Sequence, residues 1–195
     1  MKRQCRAAIW AGLVTGAVLI CIVLVDRPLA DFAASHPVRI PGMRFILGAP
    51  GLLVGLALIG PLANWRVLNA ATGWRKVSLL CSSSVLWTAA TVEFVLKPLF
   101  GRSGPVSWLQ YHEFAFHWFQ GRQAQLRSMP SGEAALLTAV LAILWVTYPR
   151  YRWVYALIGT AEAVALVWLS WHFASDVIAG AAVGALGAGL ALRRA

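Results

Sequence analysis

Five long runs without a charged residue limit what this sequence can fold into more than any other feature. They cover Ala7–Val25, Phe45–Ala63, Val77–Val92, Ala134–Tyr148 and Val177–Leu192. Runs of about 18 to 20 residues match the ~30 Å hydrocarbon layer of a bilayer at ~1.5 Å per helical residue. Only 12% of the residues are charged, whereas soluble domains usually carry ~25%. The sequence therefore predicts an integral membrane protein and excludes a soluble enzyme.

The apolar runs, extended into neighbouring apolar residues, predict an all-α bundle of six transmembrane helices in a single domain over residues 1–195. The expected spans are Ala7–Val25, Phe45–Ala63, Val77–Leu96, Ser131–Tyr148, Val154–Trp171 and Phe173–Leu192. The first is expected to be a retained helix, because it is longer than a signal-peptide core. Gly180, Gly184 and Ala188 recur every four residues in the last span, which favours close helix packing.

Basic residues are distributed unevenly between the two sides of this predicted bundle. The side with both termini carries no acidic residue and the basic residues Lys2, Arg3, Arg6, Arg66, Arg75, Lys76, Arg150, Arg152, Arg193 and Arg194. The positive-inside rule therefore predicts cytoplasmic termini, in what we expect to be a bacterial inner membrane. Because the basic residues lie in short clusters between apolar runs, membrane topology explains the net charge of +10, and no nucleic-acid partner is expected.

With this orientation, two segments that are distant in sequence share the extracytoplasmic face. Pro130-Ser131-Gly132 opens the fourth span, and the free N–H groups of a helix start favour an anion. His172 and Asp176 are four residues apart, so they share a helical face, and a carboxylate on one ring nitrogen leaves the other free to attack an electrophile. The structural alternatives are simple helix capping and a His–Asp pair near the headgroups.

The order of these motifs resembles that of the type 2 phosphatidic acid phosphatase family, the lipid phosphate phosphatases. That family has K-x6-R-P after the third helix, P-S-G-H at the fourth and S-R-x5-H-x3-D at the sixth. This sequence supplies the first motif's lysine and proline at Lys97 and Pro105, the Pro-Ser-Gly of the second at 130–132, and the histidine and aspartate of the third at His172 and Asp176.

Three parts of the motifs differ from the family pattern. Gly104 stands at the arginine of the first motif, Glu133 at the histidine of the second, and Ala165-Leu166 at the Ser-Arg pair of the third. A guanidinium that contacts a transferring phosphoryl group contributes several kcal/mol of transition-state stabilisation. Activity therefore depends on whether other basic residues replace the missing arginines.

The resemblance implies that His172 attacks phosphorus and becomes a phosphohistidine, with Asp176 as the residue that orients its ring. Glu133 takes the place of the histidine that protonates the leaving oxygen in the family. A nearby phosphate and an apolar interface both disfavour a charged carboxylate, so we hypothesise that Glu133 holds a proton and serves as the acid. The alternative is that Glu133 repels phosphate and marks a site that has lost its original ligand.

Five residues are predicted to form the phosphate-binding part of the site. The resemblance assigns phosphate binding to Lys97, and the free backbone amides of Ser131 and Gly132 at the helix start favour an anion. Arg102 lies five residues after Lys97, and Arg127 lies just before the turn that opens the fourth span. These two basic residues are expected to approach the vacated arginine positions. No metal or other cofactor is expected, because covalent histidine chemistry and fixed cations share the electrostatic task.

The resulting interpretation is a phosphatase that removes phosphate or diphosphate from a membrane lipid at the extracytoplasmic face. Its expected partners are the lipid phosphate substrate and the bilayer. One alternative is a non-catalytic relative that binds a lipid headgroup or a partner protein. Another is an enzyme of altered specificity, which transfers a group between lipids or cleaves a less charged ester, since a smaller negative charge needs fewer cations.

Three further features have both structural and functional interpretations. Glu93 precedes Lys97 by four residues, which predicts an ion pair at the membrane edge. Glu162 lies within the fifth span, where an ionisable residue indicates a proton or headgroup role or a hydrogen bond between helices. Trp108–Phe119 is predicted to be an interfacial helix of the third loop. Its two histidines are poorly aligned on a helix, so metal binding there is disfavoured.

Overall fold

The computed structural model describes residues 2–38 and 73–194, and over these residues the chain is helical without strands. The predicted all-α class is confirmed for this part of the chain. The second predicted span, Phe45–Ala63, lies outside the described residues. An isolated antiparallel bridge pairs Arg102 with Phe116 in the third loop.

Two long helices each contain a π-helical turn close to residues of the candidate site. The first consists of α1 (Lys2–Ile20), a π turn (Cys21–Val25) and α2 (Asp26–Ser35). The second consists of α3 (Gly73–Ala90), a π turn (Thr91–Leu96) and α4 (Lys97–Phe100). π turns occur frequently at functional sites. Here they place Asp26 directly after one turn and Glu93 within the other.

The third loop contains a shorter helix than the sequence predicts. Helix α5 (Pro105–Tyr111) ends where His112 adopts a left-handed conformation with φ 53°. The chain then returns toward the start of the loop, and the Ser103 amide donates to the Ala115 carbonyl at 3.1 Å. The predicted interfacial helix over Trp108–Phe119 therefore forms only in its first turn, because the rest of the segment pairs with residues 102–103 near the start of the third loop.

The last three long helices lie close to their predicted positions. They are α6 (Gly132–Thr147), α7 (Arg152–Trp168) and α8 (Ala174–Arg193). A 3-10 turn, Pro149–Tyr151, joins the first two of these helices. Proline at the start of that turn lacks an amide hydrogen and cannot continue the preceding helix ladder, which fixes the end of α6.

Close packing of α8 against α6 forms the centre of the bundle. A Cβ atom added to Gly180 would collide with the backbone carbonyl of Ser131, and one on Gly184 with that of Ala135. The predicted role of these glycines in helix packing is confirmed. The same packing joins the amino-terminal ends of both helices, where the Ser131 amide donates to the Asp176 carbonyl at 3.0 Å.

Three described helical segments are long and apolar enough to cross a membrane: Ala8–Ser35, Gly73–Phe100 and Ala174–Arg193. Helix α6 is apolar but shorter, at 16 residues. These segments support a membrane location. The count of six spans stays a prediction.

Candidate active site

His172 and Glu133 contact each other directly at the joined helix ends. His172 lies in the turn that precedes α8, and Glu133 lies in the first turn of α6. The imidazole Nε2 atom is 2.9 Å from Oε2 of the carboxylate. Packing of α6 on α8 thus brings together two predicted catalytic residues that are 39 positions apart in sequence.

Asp176 lies beside the other ring nitrogen but is held mainly by other groups. Its Oδ2 atom is 3.8 Å from Nδ1 of His172, which is longer than a hydrogen bond. That oxygen accepts hydrogen bonds from the Ser128 hydroxyl at 2.6 Å and the Phe173 amide at 3.0 Å. The sequence predicts that His172 and Asp176 share one face of a helix. In the structure His172 precedes α8, and the two residues approach each other across the start of that helix. Nδ1 has no hydrogen-bond partner among the described residues.

Arg102 lies inside the protein, with only 1% of its surface exposed. Its guanidinium donates to Oδ1 of Asp176 at 2.5 Å and to Oδ2 of Asp26 at 2.7 Å. It also donates to the Ser175 hydroxyl, and the Ser175 amide donates to Asp26. The structure therefore places Arg102 among buried carboxylates, whereas the sequence prediction places it on the phosphate.

Aromatic rings enclose the rest of this buried guanidinium. Its central carbon lies 4.7 to 5.0 Å from the ring centres of Phe114, Phe116 and Phe173. The negative faces of aromatic rings attract a cation, and the rings exclude water from the ion pairs. The cluster consequently fixes the carboxylate of Asp176 in one position.

Lys97 and Arg127, two of the predicted phosphate ligands, share the carboxylate of Glu93. The Lys97 ammonium is 2.6 Å from Oε1, and the Arg127 guanidinium is 2.6 Å from Oε2. Arg127 also donates to the Gly121 carbonyl at 2.8 Å. The predicted ion pair between Glu93 and Lys97 is confirmed, and Arg127 joins it from the end of the loop.

This charged cluster touches the start of α6. A Cβ atom added to Gly132 would lie 3.3 Å from both Nζ of Lys97 and Oε1 of Glu93. The Ser131 hydroxyl accepts from the Ala134 amide at 3.3 Å, so the predicted capping is confirmed. The lack of a side chain at Gly132 therefore lets charged groups approach the positive end of the α6 dipole.

The environment of His172 favours the protonated ring. Burial lowers the pKa of its imidazole, but the neighbouring carboxylates of Asp176 and Glu133 raise it by more, to about 9. At neutral pH the unliganded site therefore contains an imidazolium paired with a carboxylate. The raised pKa of His172 favours the proton on the imidazole in the unliganded site. The hypothesis that Glu133 holds a proton beside a bound phosphate stays a prediction.

Three buried polar residues that support Asp176 do not emerge from the sequence motifs: Asp26, Ser128 and Ser175. Serine at a loop or helix end is too common to indicate a site. Asp26 carries one usable signal, because it is the first charged residue after a long apolar run and ionisable groups at membrane spans are often functional.

Glu162 on α7 is the predicted intramembrane carboxyl group. It lies near enough to Glu133 and His172 to interact with both electrostatically. Its predicted role in proton or headgroup handling stays a prediction.

The part of the chain that contains these groups matches a known family. The sequence model of the PAP2 superfamily aligns with residues 78–194. The chain belongs to the PAP2 superfamily. The resemblance that the motifs predict is thereby confirmed, although Asp26 lies outside the aligned residues.

Two curated relatives of this PAP2 protein are lipid A 1-phosphatases. The Rhizobium johnstonii protein is 28% identical over 179 residues, covering 87% of this chain and 72% of the relative. The Rhizobium etli protein is 28% identical over 180 residues, covering 86% and 76%. A solved PAP2-type phosphatidylglycerolphosphate phosphatase from Bacillus subtilis matches with a TM-score of 0.46 and 16% identity over 92% of each chain. The family and the curated relatives support the predicted phosphatase activity.

Proposed function

We propose that this PAP2 protein is a membrane lipid phosphatase that works through a phosphohistidine at the extracytoplasmic face. The observation that carries the proposal is the contact between the His172 imidazole and Glu133 at the start of α6, beside Lys97 and Arg127. It combines a nucleophile, a proton carrier and two cations in a family of phosphatases.

The substrate phosphate binds where Lys97 and Arg127 lie beside the amino-terminal end of α6. Lys97 and Arg127 neutralise its oxygens, while the amides of Ser131 and Gly132 lie at the positive end of the helix dipole, which favours anions. The phosphorus atom then lies within reach of Nε2 of His172. In this arrangement Lys97, Arg127, Ser131 and Gly132 have the phosphate-binding roles that are predicted from the sequence.

Glu133 carries the proton in both halves of the proposed reaction. It first takes the proton from Nε2 of His172, whose lone pair attacks phosphorus as the bond to the leaving oxygen breaks. The protonated Glu133 then gives this proton to the leaving oxygen. In the second half, Glu133 takes a proton from water, and the resulting hydroxide attacks phosphorus as the P–N bond breaks. Glu133 then returns this proton to Nε2 of His172.

Asp176 and Arg102 position and stabilise His172 in this proposal without contacting the substrate. The Asp176 carboxylate faces Nδ1 of His172 and stabilises the positive charge that the ring carries as a phosphohistidine. Arg102, anchored by Asp26, fixes Asp176 through an ion pair that water does not reach. We therefore assign Arg102 to positioning instead of phosphate binding.

The membrane topology in the proposal follows from charge. The short basic clusters place both termini in the cytoplasm by the positive-inside rule. Helix α8 begins beside His172 and ends at Arg193, so the site lies at the opposite, extracytoplasmic end of the bundle. A lipid phosphate of the outer leaflet reaches it without crossing the membrane.

The proposed substrate is a phosphate monoester of a membrane lipid, and the curated relatives make lipid A 1-phosphate the first candidate. The test is release of inorganic phosphate by purified protein from lipid A, phosphatidate, phosphatidylglycerolphosphate and a prenyl diphosphate. We expect release from at least one lipid, and its loss in His172→Ala. Saturable binding of these lipids without release from any of them supports the non-catalytic alternative and contradicts the proposal.

A further inference from the structure

Glu93 occupies an unusual place for an acidic residue in a site that is proposed to bind phosphate. Its two oxygens each contact one cation at 2.6 Å, Lys97 on one side and Arg127 on the other. One of these oxygens also lies 3.3 Å from the Cβ position of Gly132 at the start of α6. The carboxylate therefore fills a place where two cations and a helix end favour an anion.

The charge balance around this place is poorly suited to a phosphate dianion. Lys97, Arg127 and protonated His172 contribute three positive charges, and Glu93 and Glu133 contribute two negative ones. A phosphate monoester carries about −1.5 to −2 charges at neutral pH. The unliganded cluster thus has roughly one positive charge to offer unless a carboxylate leaves.

Glu93 is the carboxylate that is free to leave. Its side chain is 39% exposed. Glu133, the other carboxylate in this charge balance, is less exposed, at 27%, and is paired with His172. An ion pair contributes little to stability where its side chains reach solvent, and Glu93 is more exposed than either of its partners, Lys97 at 12% and Arg127 at 26%. Rotation of Glu93 into water therefore costs little compared with the binding of a lipid that is also anchored by its acyl chains.

We infer that Glu93 is a specificity-determining residue whose carboxylate competes with the substrate phosphate for Lys97 and Arg127. This inference rests on the proposed function and refines its substrate class. A phosphate tethered to a membrane lipid displaces Glu93, because the bilayer holds the rest of the molecule. Free inorganic phosphate has no such tether, so it binds weakly and leaves easily after turnover.

The test is the affinity of the purified protein for inorganic phosphate, measured by titration calorimetry in detergent at low salt. Glu93→Gln removes the competing charge, and we expect the Kd for phosphate to fall about tenfold. The matched control is Glu113→Gln, because Glu113 pairs with His117 and its side chain is similarly exposed, at 41%. We expect the Kd of this control to equal that of the wild type.

A purely structural role for Glu93 predicts the opposite result. If Glu93 only holds Lys97 and Arg127 in place, its replacement weakens phosphate binding. An unchanged or higher Kd in Glu93→Gln, or no measurable binding by any variant, overturns the inference. Should Glu93→Gln fail to fold, Glu93→Asp is the second variant. Its side chain is one methylene shorter, so we expect it to compete less well for the two cations and the Kd to be a few-fold below wild type. A Kd at or above wild type overturns the inference.

Phosphate binding requires no turnover, so this result is separable from the proposed function. Tighter binding by Glu93→Gln together with no phosphate release by the wild type supports the inference and contradicts the phosphatase activity. Phosphate release by the wild type with no gain in affinity in Glu93→Gln contradicts the inference and leaves the activity supported.

Discussion

The Nε2 atom of His172 lies 2.9 Å from Oε2 of Glu133, at the point where helices α6 and α8 begin. A single hydrogen bond thus links His172, the proposed nucleophile, to Glu133, which stands where the family has the histidine that protonates the leaving oxygen. Because the pKa of His172 is raised to about 9, the proposed nucleophile must lose a proton before it attacks, and in the proposal Glu133 is the group that takes it. Replacement of Glu133 therefore tests whether this residue transfers the proton in the proposed reaction.

The loss of kcat caused by Glu133→Gln is expected to depend on the leaving group of the substrate. The amide cannot carry a proton, so we expect kcat for a lipid phosphate to fall by about 10²- to 10⁴-fold. An aryl phosphate whose leaving group needs no proton should lose less, because only the deprotonation of His172 is affected. Steady-state phosphate release with both esters measures the difference.

Glu113→Gln is the control for this experiment, since that carboxylate pairs with His117 in the loop. It should leave both rates unchanged. Equal losses for the two esters in Glu133→Gln would show that Glu133 does not protonate the leaving oxygen.

The pKa of His172 predicts how stability changes with pH. Burial lowers this pKa, and the carboxylates of Asp176 and Glu133 raise it by more, from 6.5 to about 9. A raised folded-state pKa means that the stabilisation is complete below pH 6.5 and is lost as the pH rises through about 9. We therefore expect Tm in detergent to fall over this range, and to fall less in His172→Gln. Equal slopes for both proteins would contradict the ion pair.

Arg102→Met separates a positioning role from phosphate binding. Removing one partner of a buried ion pair costs about 3 to 5 kcal/mol, and here the carboxylates of Asp26 and Asp176 are left without their cation. We expect lower thermal stability and a kcat about 100-fold lower, with KM nearly unchanged because the guanidinium is buried. Steady-state kinetics decide: a large rise in KM would instead place Arg102 on the phosphate.

A double variant checks that the two buried ionic partners act together. Asp26→Asn alone removes one of the two carboxylates that pair with Arg102, and Arg102→Met alone leaves Asp26 without its cation. We expect the change in Tm of the double variant to be smaller than the sum of the single changes. Additive changes would contradict direct coupling.

The contact between α6 and α8 predicts a difference between two glycines of the same helix. A Cβ on Gly184 collides with backbone, whereas one on Gly189 has nothing within 4 Å. We expect Gly184→Ala to lower stability by about 1 to 3 kcal/mol and to reduce activity, because the helix ends separate. Gly189→Ala should be neutral or slightly stabilising. Thermal unfolding in detergent tests both, and similar effects would contradict the packing.

Much of this architecture is visible in the sequence because local patterns encode it. The charge-free runs predict α6 and α8 closely, since apolar length alone determines where a membrane helix can lie. The four-residue spacing of Gly180 and Gly184 predicts a packed face. Ser131 is predictable as a helix cap, because a hydroxyl at a helix start satisfies a free amide.

The charged network of the site is less predictable, because its partners are far apart in sequence. Arg102 and Asp26 are separated by 76 residues, and no periodicity links them. The motif spacing indicates which residues carry chemistry, but the direction of a guanidinium depends on the packing around it. The aromatic enclosure of Arg102 arises only when the third loop folds back on itself.

The central claim is that Nε2 of His172 attacks phosphorus. It is tested most directly by stopping turnover of a radiolabelled lipid phosphate with alkali, which preserves phosphohistidine, and mapping the label by peptide sequencing. We predict that the label lies on the peptide containing His172, and that His172→Ala carries none and loses at least ~10³-fold in phosphate release. Label on another residue, or phosphate release by His172→Ala within about tenfold of wild type, would contradict the account.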